Sequence, residues 1–252
     1  VADWDGTQYG MISDLQRAAA AESLTLIDLD GGERVLDVGC GDGYVTAQIA
    51  ERLPRGSVLG VDPSPRMIEA AGRRATSASF VAGDVTSLTF DGEFDVVTSF
   101  NALHWVRDQD AAYRCMASAL TPGGRAYLTF VCAGPRLAVE EIGMIVTRQK
   151  RWGTAFEGFA PPYRHPTPEH FAETATAAGF EIVTQTVVDR WWDFGSRDAF
   201  AQWCTVGFGD WTSHLGSDEA PLFIDSLVDS YRDVSGRDDT VGFYQLRATL
   251  KR

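Results

Sequence analysis

The chain has 252 residues, of which 44% are hydrophobic and 23% charged, with a formal net charge of −13. That length suits one α/β domain with an elaboration. No apolar run approaches the ~20 residues that cross a bilayer, and so acidic a chain lacks the basic stripe of a nucleic-acid binder. Cys40, Cys115, Cys132 and Cys204 are scattered without a C-x-x-C pair, so no metal site is expected. They read as reduced thiols of a cytoplasmic protein, and no signal-peptide pattern is visible.

In chain order, Asp14 to Leu26 reads as an alanine-rich helix whose apolar side is Leu15, Ala18, Ala19 and Leu26. Arg34-Val-Leu-Asp-Val38 reads as a strand running into Gly39, Gly41 and Gly43, with a helix from Tyr44 to Arg52. Glycine in such a turn permits φ > 0 and lets a ligand approach the backbone. A second strand begins at Ser57 and ends at Asp62, which lies about 20 residues beyond the glycines, the spacing of a carboxylate that hydrogen-bonds a ribose. A dinucleotide fingerprint needs a third glycine where Tyr44 stands. Asp37 and Asp42 would repel a pyrophosphate and suit a cationic ligand.

A third strand starts near Phe80 and ends at Asp84, and Phe94 to Phe100 is an apolar, β-branched fourth strand. A helix is expected from Ala112 to Leu120, stopped by Thr121-Pro-Gly-Gly124, and then a fifth strand from Arg125 to Val131. Helices are expected near 137–150, 167–178, 196–208 and 217–235, with strands over 181–194 and 240–250. Gly179 sits at a helix C-cap position. Two stretches, about 132–165 and 196–236, depart from the strand–helix alternation. They follow the carboxyl ends of strands, where open α/β sheets bind ligands. Their rings, Trp152, Phe156, Phe159, Tyr163, Trp203, Phe208, Trp211 and Phe223, read one by one as a second small core and as a set as an apolar acceptor pocket.

The ordered set Asp37-x-Gly39-x-Gly41-x-Gly43, Asp62, Asp84 and Pro122-Gly-Gly124 covers roughly residues 34–131 and resembles the class I S-adenosylmethionine-dependent methyltransferases. The resemblance implies an α/β fold: a seven-stranded Rossmann-like methyltransferase sheet whose last strand runs antiparallel between strands five and six. It implies a single domain over 1–252, with a cofactor-binding core at 31–131 and helical cap insertions at the two stretches above. The implied cofactor is S-adenosylmethionine, leaving as S-adenosylhomocysteine. The implied cofactor-binding residues are Tyr9, Asp37, Gly39, Cys40, Gly41, Asp62, Pro63, Met67, Asp84, Val85 and Asn101. Among these, Asp37 lies near the methionine part, Asp62 binds the ribose, Asp84 accepts from the adenine amino group, and the neighbouring amide meets the ring. Cys40 itself reads as a small turn residue.

The string Asn101-Ala-Leu-His104-Trp105-Val-Arg-Asp-Gln-Asp110 is similar to a narrower group, the juvenile hormone acid and farnesoic acid methyltransferases, and more distantly to trans-aconitate methyltransferase. Tyr9, Gln16-Arg17, Lys150-Arg-Trp152 and Phe243-Tyr244 also fit. This likeness implies that Gln16 and Trp105 hold an acceptor carboxylate. The acceptor's acidity decides whether a base is required. A carboxylic acid near pKa ~4.5 is already ionised at neutral pH, whereas a phenol near ~10 must lose a proton. The sequence reading is therefore methylation of the carboxylate of an apolar acid, a small molecule, with Gln16 and Trp105 holding it and His104 orienting it. The alternatives are O-, N- or C-methylation of a secondary metabolite with His104 as base, or a cyclase or binding module that holds the cofactor without methylating. His165, His170 and His214 read as surface or structural, and the aromatic stretches argue against a tricarboxylate acceptor.

Overall fold

Helix α1 (Asp14–Leu24) packs one stripe, Leu15, Ala19 and Ser23, while Ala18 and Leu26 face solvent. The buried residues recur every four positions, so the expected apolar side is rotated: Ala18 lies one position off the stripe and Leu26 lies beyond the helix. The computed structural model describes residues 14–252, apart from the side chains of Asp14, Gln16, Arg17 and Ala20.

Strand β1 (Arg34–Val38) is buried from Val35 onward, as expected of a strand covered on both faces. It continues through α2 (Tyr44–Glu51), β2 (Ser57–Asp62), α3 (Pro65–Gly72), β3 (Ser79–Ala82) and β4 (Phe94–Phe100). Helix α4 (Gln109–Ala119) begins three residues before the expected start, because the Asp108 carboxylate accepts the Ala111 N–H at 2.9 Å and caps it there. Strand β5 (Leu120–Cys132) also begins early. Leu120 pairs with Phe94 and the next pair is Val96 with Arg125, so Thr121–Gly124 bulges out of the strand instead of preceding it.

Helices α5 (Val139–Thr147) and α6 (Pro168–Ala177), strand β6 (Glu181–Asp193), helices α7 (Arg197–Gly207), α8 (Gly209–Thr212) and α9 (Ala220–Ser235), and strand β7 (Thr240–Lys251) complete the order. The sheet runs β3-β2-β1-β4-β5-β7-β6, with β7 antiparallel to both neighbours. The strand order turns back between β1 and β4, which opens a crevice at their carboxyl ends.

Alternating side chains build two layers of core. Val35, Val58, Val96 and Tyr127 meet Ile27 and Ile49, and Leu36, Val97, Leu128 and Phe130 meet Tyr113, Met116 and Phe171. A third cluster, with Trp152, Phe200, Trp211, Phe223, Leu227 and Tyr231 at its centre, unites α5, α7, α8 and α9. Among the described residues no helix is long and apolar enough to cross a membrane.

Candidate functional site

The turn after β1 is drawn onto β2, because the Gly39 and Cys40 N–H groups both donate to the Val61 carbonyl, at 2.8 and 3.1 Å. Gly39 has φ 72°, and a Cβ there would stand 2.2 Å from that of Ala102 in the turn after β4. Gly41 has φ 55°, and a Cβ there would meet nothing within 4 Å, so its backbone borders open space. Asp62 closes the arrangement: one carboxylate oxygen accepts the Gly41 N–H at 3.0 Å and the other the Ser64 N–H at 2.9 Å. Burial raises its pKa, and the two amides oppose that rise.

Asp37 is buried under the turn and takes the hydroxyls of Thr46 and Thr98, at 2.6 and 2.8 Å, one on each oxygen. Burial pushes its pKa up, those hydroxyls pull it down, and Asp62 adds to the rise. Asp42, expected to attract a cation, is instead ion-paired with Arg74, so its charge is met within the protein. Burial drives the Cys40 thiol far above its ordinary pKa, leaving it a small apolar turn residue.

Asp84 caps a short 3-10 turn over Val85–Ser87, its Oδ1 accepting both the N–H and the hydroxyl of Thr86, at 2.8 and 2.7 Å. Its Oδ2 carries no hydrogen bond among the described residues, and the first amide of such a turn, Val85 N–H, has no partner within it. Asn101 adopts φ 55° and donates its N–H to the Thr129 carbonyl at 2.7 Å.

Asp37, Gly39, Cys40, Gly41, Asp62, Pro63, Met67, Asp84, Val85 and Asn101 all line one cavity of about 710 Å³, and His104 and Trp105 line it too. Tyr9 and the Gln16 side chain lie outside the described residues. The lining fits the nucleoside cofactor that the resemblance implies. There is open space over Gly41, a carboxylate at Asp62 with lone pairs to spare, and an acceptor and an amide at Asp84 and Val85.

The far end of the cavity differs in chemistry. Trp105, Val139, Phe159, Trp203, Phe208 and Phe243 wall it, with Asp210 half-buried and His214 exposed at its rim. The expected ring set divides here: Phe159, Trp203 and Phe208 reach the cavity, whereas Trp152, Phe156, Trp211 and Phe223 are buried in the third core cluster. His104 is buried, and its Nδ1 faces the Val131 N–H at 3.5 Å, which leaves the ring proton on Nε2. Burial, then the nearby His165, hold its pKa well below the ordinary value, so it is a neutral imidazole and a weak base. His165 is itself held near 4 by burial. His170 contacts Arg164 at 2.6 Å, and His214 packs edge-on to Phe159 with ring centroids 4.9 Å apart.

One residue on this wall escaped the sequence reading. Glu140, the second residue of α5, is 7% exposed and lines the cavity, with its own backbone amide as the one hydrogen-bond donor that acts on its carboxyl among the described residues. Burial pushes its carboxyl up to about 7, with Glu141 adding to the rise. The available signal was an acid set inside the apolar face of Val139, Ile142, Gly143 and Val146, all buried.

A family model described as a methyltransferase domain matches residues 35–124. Trans-aconitate 2-methyltransferase of Methylobacterium nodulans is 35% identical over 124 residues, 49% of this chain and 48% of that relative, so the match spans about half of each. The phosphoethanolamine N-methyltransferase 2 of Haemonchus contortus in complex with S-adenosyl-L-methionine superposes with a TM-score of 0.60 at 18% identity, covering 98% of this chain and 56% of that one. The [4+2]-cyclase SpnF superposes with a TM-score of 0.63 at 22% identity, covering 94% and 82%.

Proposed function

We propose that this chain, a class I S-adenosylmethionine-dependent methyltransferase, methylates a small, largely apolar molecule at a group that carries a proton. The carrying observation is the single cavity that joins the glycine turn and its carboxylates to a wall of rings. S-adenosylmethionine supplies an activated methyl group on a sulfonium. The chain's own part is to bind and align. Asp62 holds the ribose hydroxyls, Asp84 and the Val85 amide read the adenine, and the Gly39–Gly41 backbone lies against the methionine part with Asp37 bracing it from behind. Trp105 also lines the cavity, and its ring face suits a sulfonium. The segments 132–165 and 196–236 act as the cap over the acceptor.

Two acceptor groups fit an apolar pocket. A carboxylate, as the likeness to juvenile hormone acid methyltransferases implies, needs no base, and the His104 Nε2–H and Trp105 could donate to it. A hydroxyl or amine must shed a proton. The lining favours the second. The acceptor end offers the carboxyl groups of Glu140 and Asp210, and among the described lining residues the sole guanidinium, Arg107, donates to the Ala160 carbonyl at 3.2 Å. A second anion brought beside a buried carboxyl is costly, because two such groups in one site cannot both ionise freely. The same reasoning weighs against a tricarboxylate.

Labelled methyl transfer to decanoate, decanol, 4-octylphenol and decylamine, matched in apolar bulk, tests this. Base-stable ether or methylamine products are expected. Base-labile ester from decanoate alone would return the acceptor to a carboxylate, and no product from any of the four would favour a cofactor-binding protein of the cyclase kind.

A further inference from the structure

We propose that Glu140 is the general base of the acceptor site: its carboxylate takes the proton from the acceptor's hydroxyl or amine as that oxygen or nitrogen takes the methyl group. The inference rests on the reading of the cavity as an apolar-acceptor methylation site. In the step, the acceptor's O–H or N–H bond breaks and the proton goes to Glu140. The new O–CH3 or N–CH3 bond forms, and the electrons of the broken carbon–sulfur bond stay on sulfur. Glu140 then returns the proton to water through the open end of the cavity.

Three observations converge on this residue. The two buried carboxylates of the cavity are unlike: Asp37 has a side-chain hydroxyl on each oxygen and is engaged, while Glu140 lines the same cavity with only its own backbone amide acting on it and no other side chain bonded to it among the described residues. His104, the base of the alternative sequence reading, is buried and neutral, with its Nδ1 turned to a backbone amide. Glu140 also occupies the first turn of α5, where the end of the helix dipole favours the ionised carboxylate while the surrounding rings disfavour it. Burial raises its carboxyl to about 7, opposed by its own backbone amide and helped by Glu141, which suits a base at neutral pH. The titratable groups that face it are its neighbour Glu141, the Cys204 thiol of α7 and the Tyr163 phenol, with Asp210, His104 and Arg107 elsewhere on the same wall. Burial raises the Cys204 and Tyr163 values, so both stay neutral and neither competes for the role.

The test uses the full-length enzyme with 4-octylphenol and decylamine. With 4-octylphenol, the wild-type kcat/KM should rise about tenfold per pH unit below 7 and level off above it, because the base must be ionised. E140Q should lower kcat by about 100- to 10,000-fold and abolish that rise, while S-adenosylhomocysteine affinity by calorimetry stays within twofold, which confirms a folded cofactor site. E140A should regain activity with added acetate. E140Q with kcat within threefold of wild type on either acceptor would overturn the assignment of the base while leaving the acceptor class standing. Transfer to decanoate alone, or to none of the acceptors, would overturn the reading beneath it.

Discussion

Replacing Asp62 by alanine should weaken S-adenosylhomocysteine binding about 100-fold. The carboxylate sits at the end of β2 with each oxygen already accepting one backbone amide, which fixes its orientation and leaves a lone pair on each oxygen for a ribose hydroxyl. Hydrogen bonds to a charged group contribute roughly 1.5 kcal/mol each, so losing two costs about 3 kcal/mol, or roughly 100-fold in Kd. The Gly41 amide also loses its partner, and with it the turn loses part of its tie to β2. Calorimetry with the nucleoside product measures the loss, and a thermal melt run alongside separates it from unfolding. A change below threefold would move the nucleoside away from β2.

Glu140→Gln should stabilise the fold at alkaline pH. The group's folded value near 7 exceeds its unfolded value of 4.5. Between those values the folded chain keeps a proton that the unfolded chain has lost, so stability falls as pH rises and the penalty is complete above 7. At about 1.4 kcal/mol per unit, the wild type loses about 3 kcal/mol by pH 8 and less than about 1 kcal/mol by pH 5. Glutamine does not titrate. E140Q should therefore unfold at higher urea than wild type at pH 8, with the gap narrowing toward pH 5. An equal gap at both pH values would mean that Glu140 titrates normally. Gained stability together with lost turnover is the pattern expected of a strained functional group.

The inner strands were legible because β1, β2 and β4 are largely buried and read as apolar runs, whereas β3 and β6 are mostly exposed. Val35 and Val96 could not be confused with solvent-facing residues, and the acids at 37, 62 and 84 mark successive strand ends. Element boundaries were less visible. The start of α4 depended on an Asp108 cap, and Thr121–Gly124, a strong breaker in composition, is absorbed as a bulge within β5 because β4 pairs on both sides of it.

The described residues assigned to the cofactor in the sequence line one cavity because one local motif and its neighbours bring them together. Asp42 was misjudged because its partner, Arg74, lies 32 residues away. The acceptor end was harder to read because its residues come from separate helices. The sequence grouped Phe159 and Trp211 in one ring set, but could not say that Phe159 borders the cavity while Trp211 is buried in the third cluster. Glu140 lay hidden for the same reason. Its chemistry comes from what surrounds it in space, and in the sequence it is one of two adjacent glutamates at the start of a helix, where acids are common for the dipole alone.

The central claim, that an apolar acceptor lies against the rings beside the cofactor, is tested most directly by methyl transfer along a homologous series of 4-alkylphenols from butyl to octyl, measured as kcat/KM at saturating S-adenosylmethionine. Each methylene buried against Phe159, Trp203 and Phe208 should contribute about 0.8 kcal/mol, so kcat/KM should climb roughly threefold to fourfold per carbon until the cavity is filled. A series that stays flat or falls with chain length would contradict the claim, and would place the acceptor's recognition in polar groups instead.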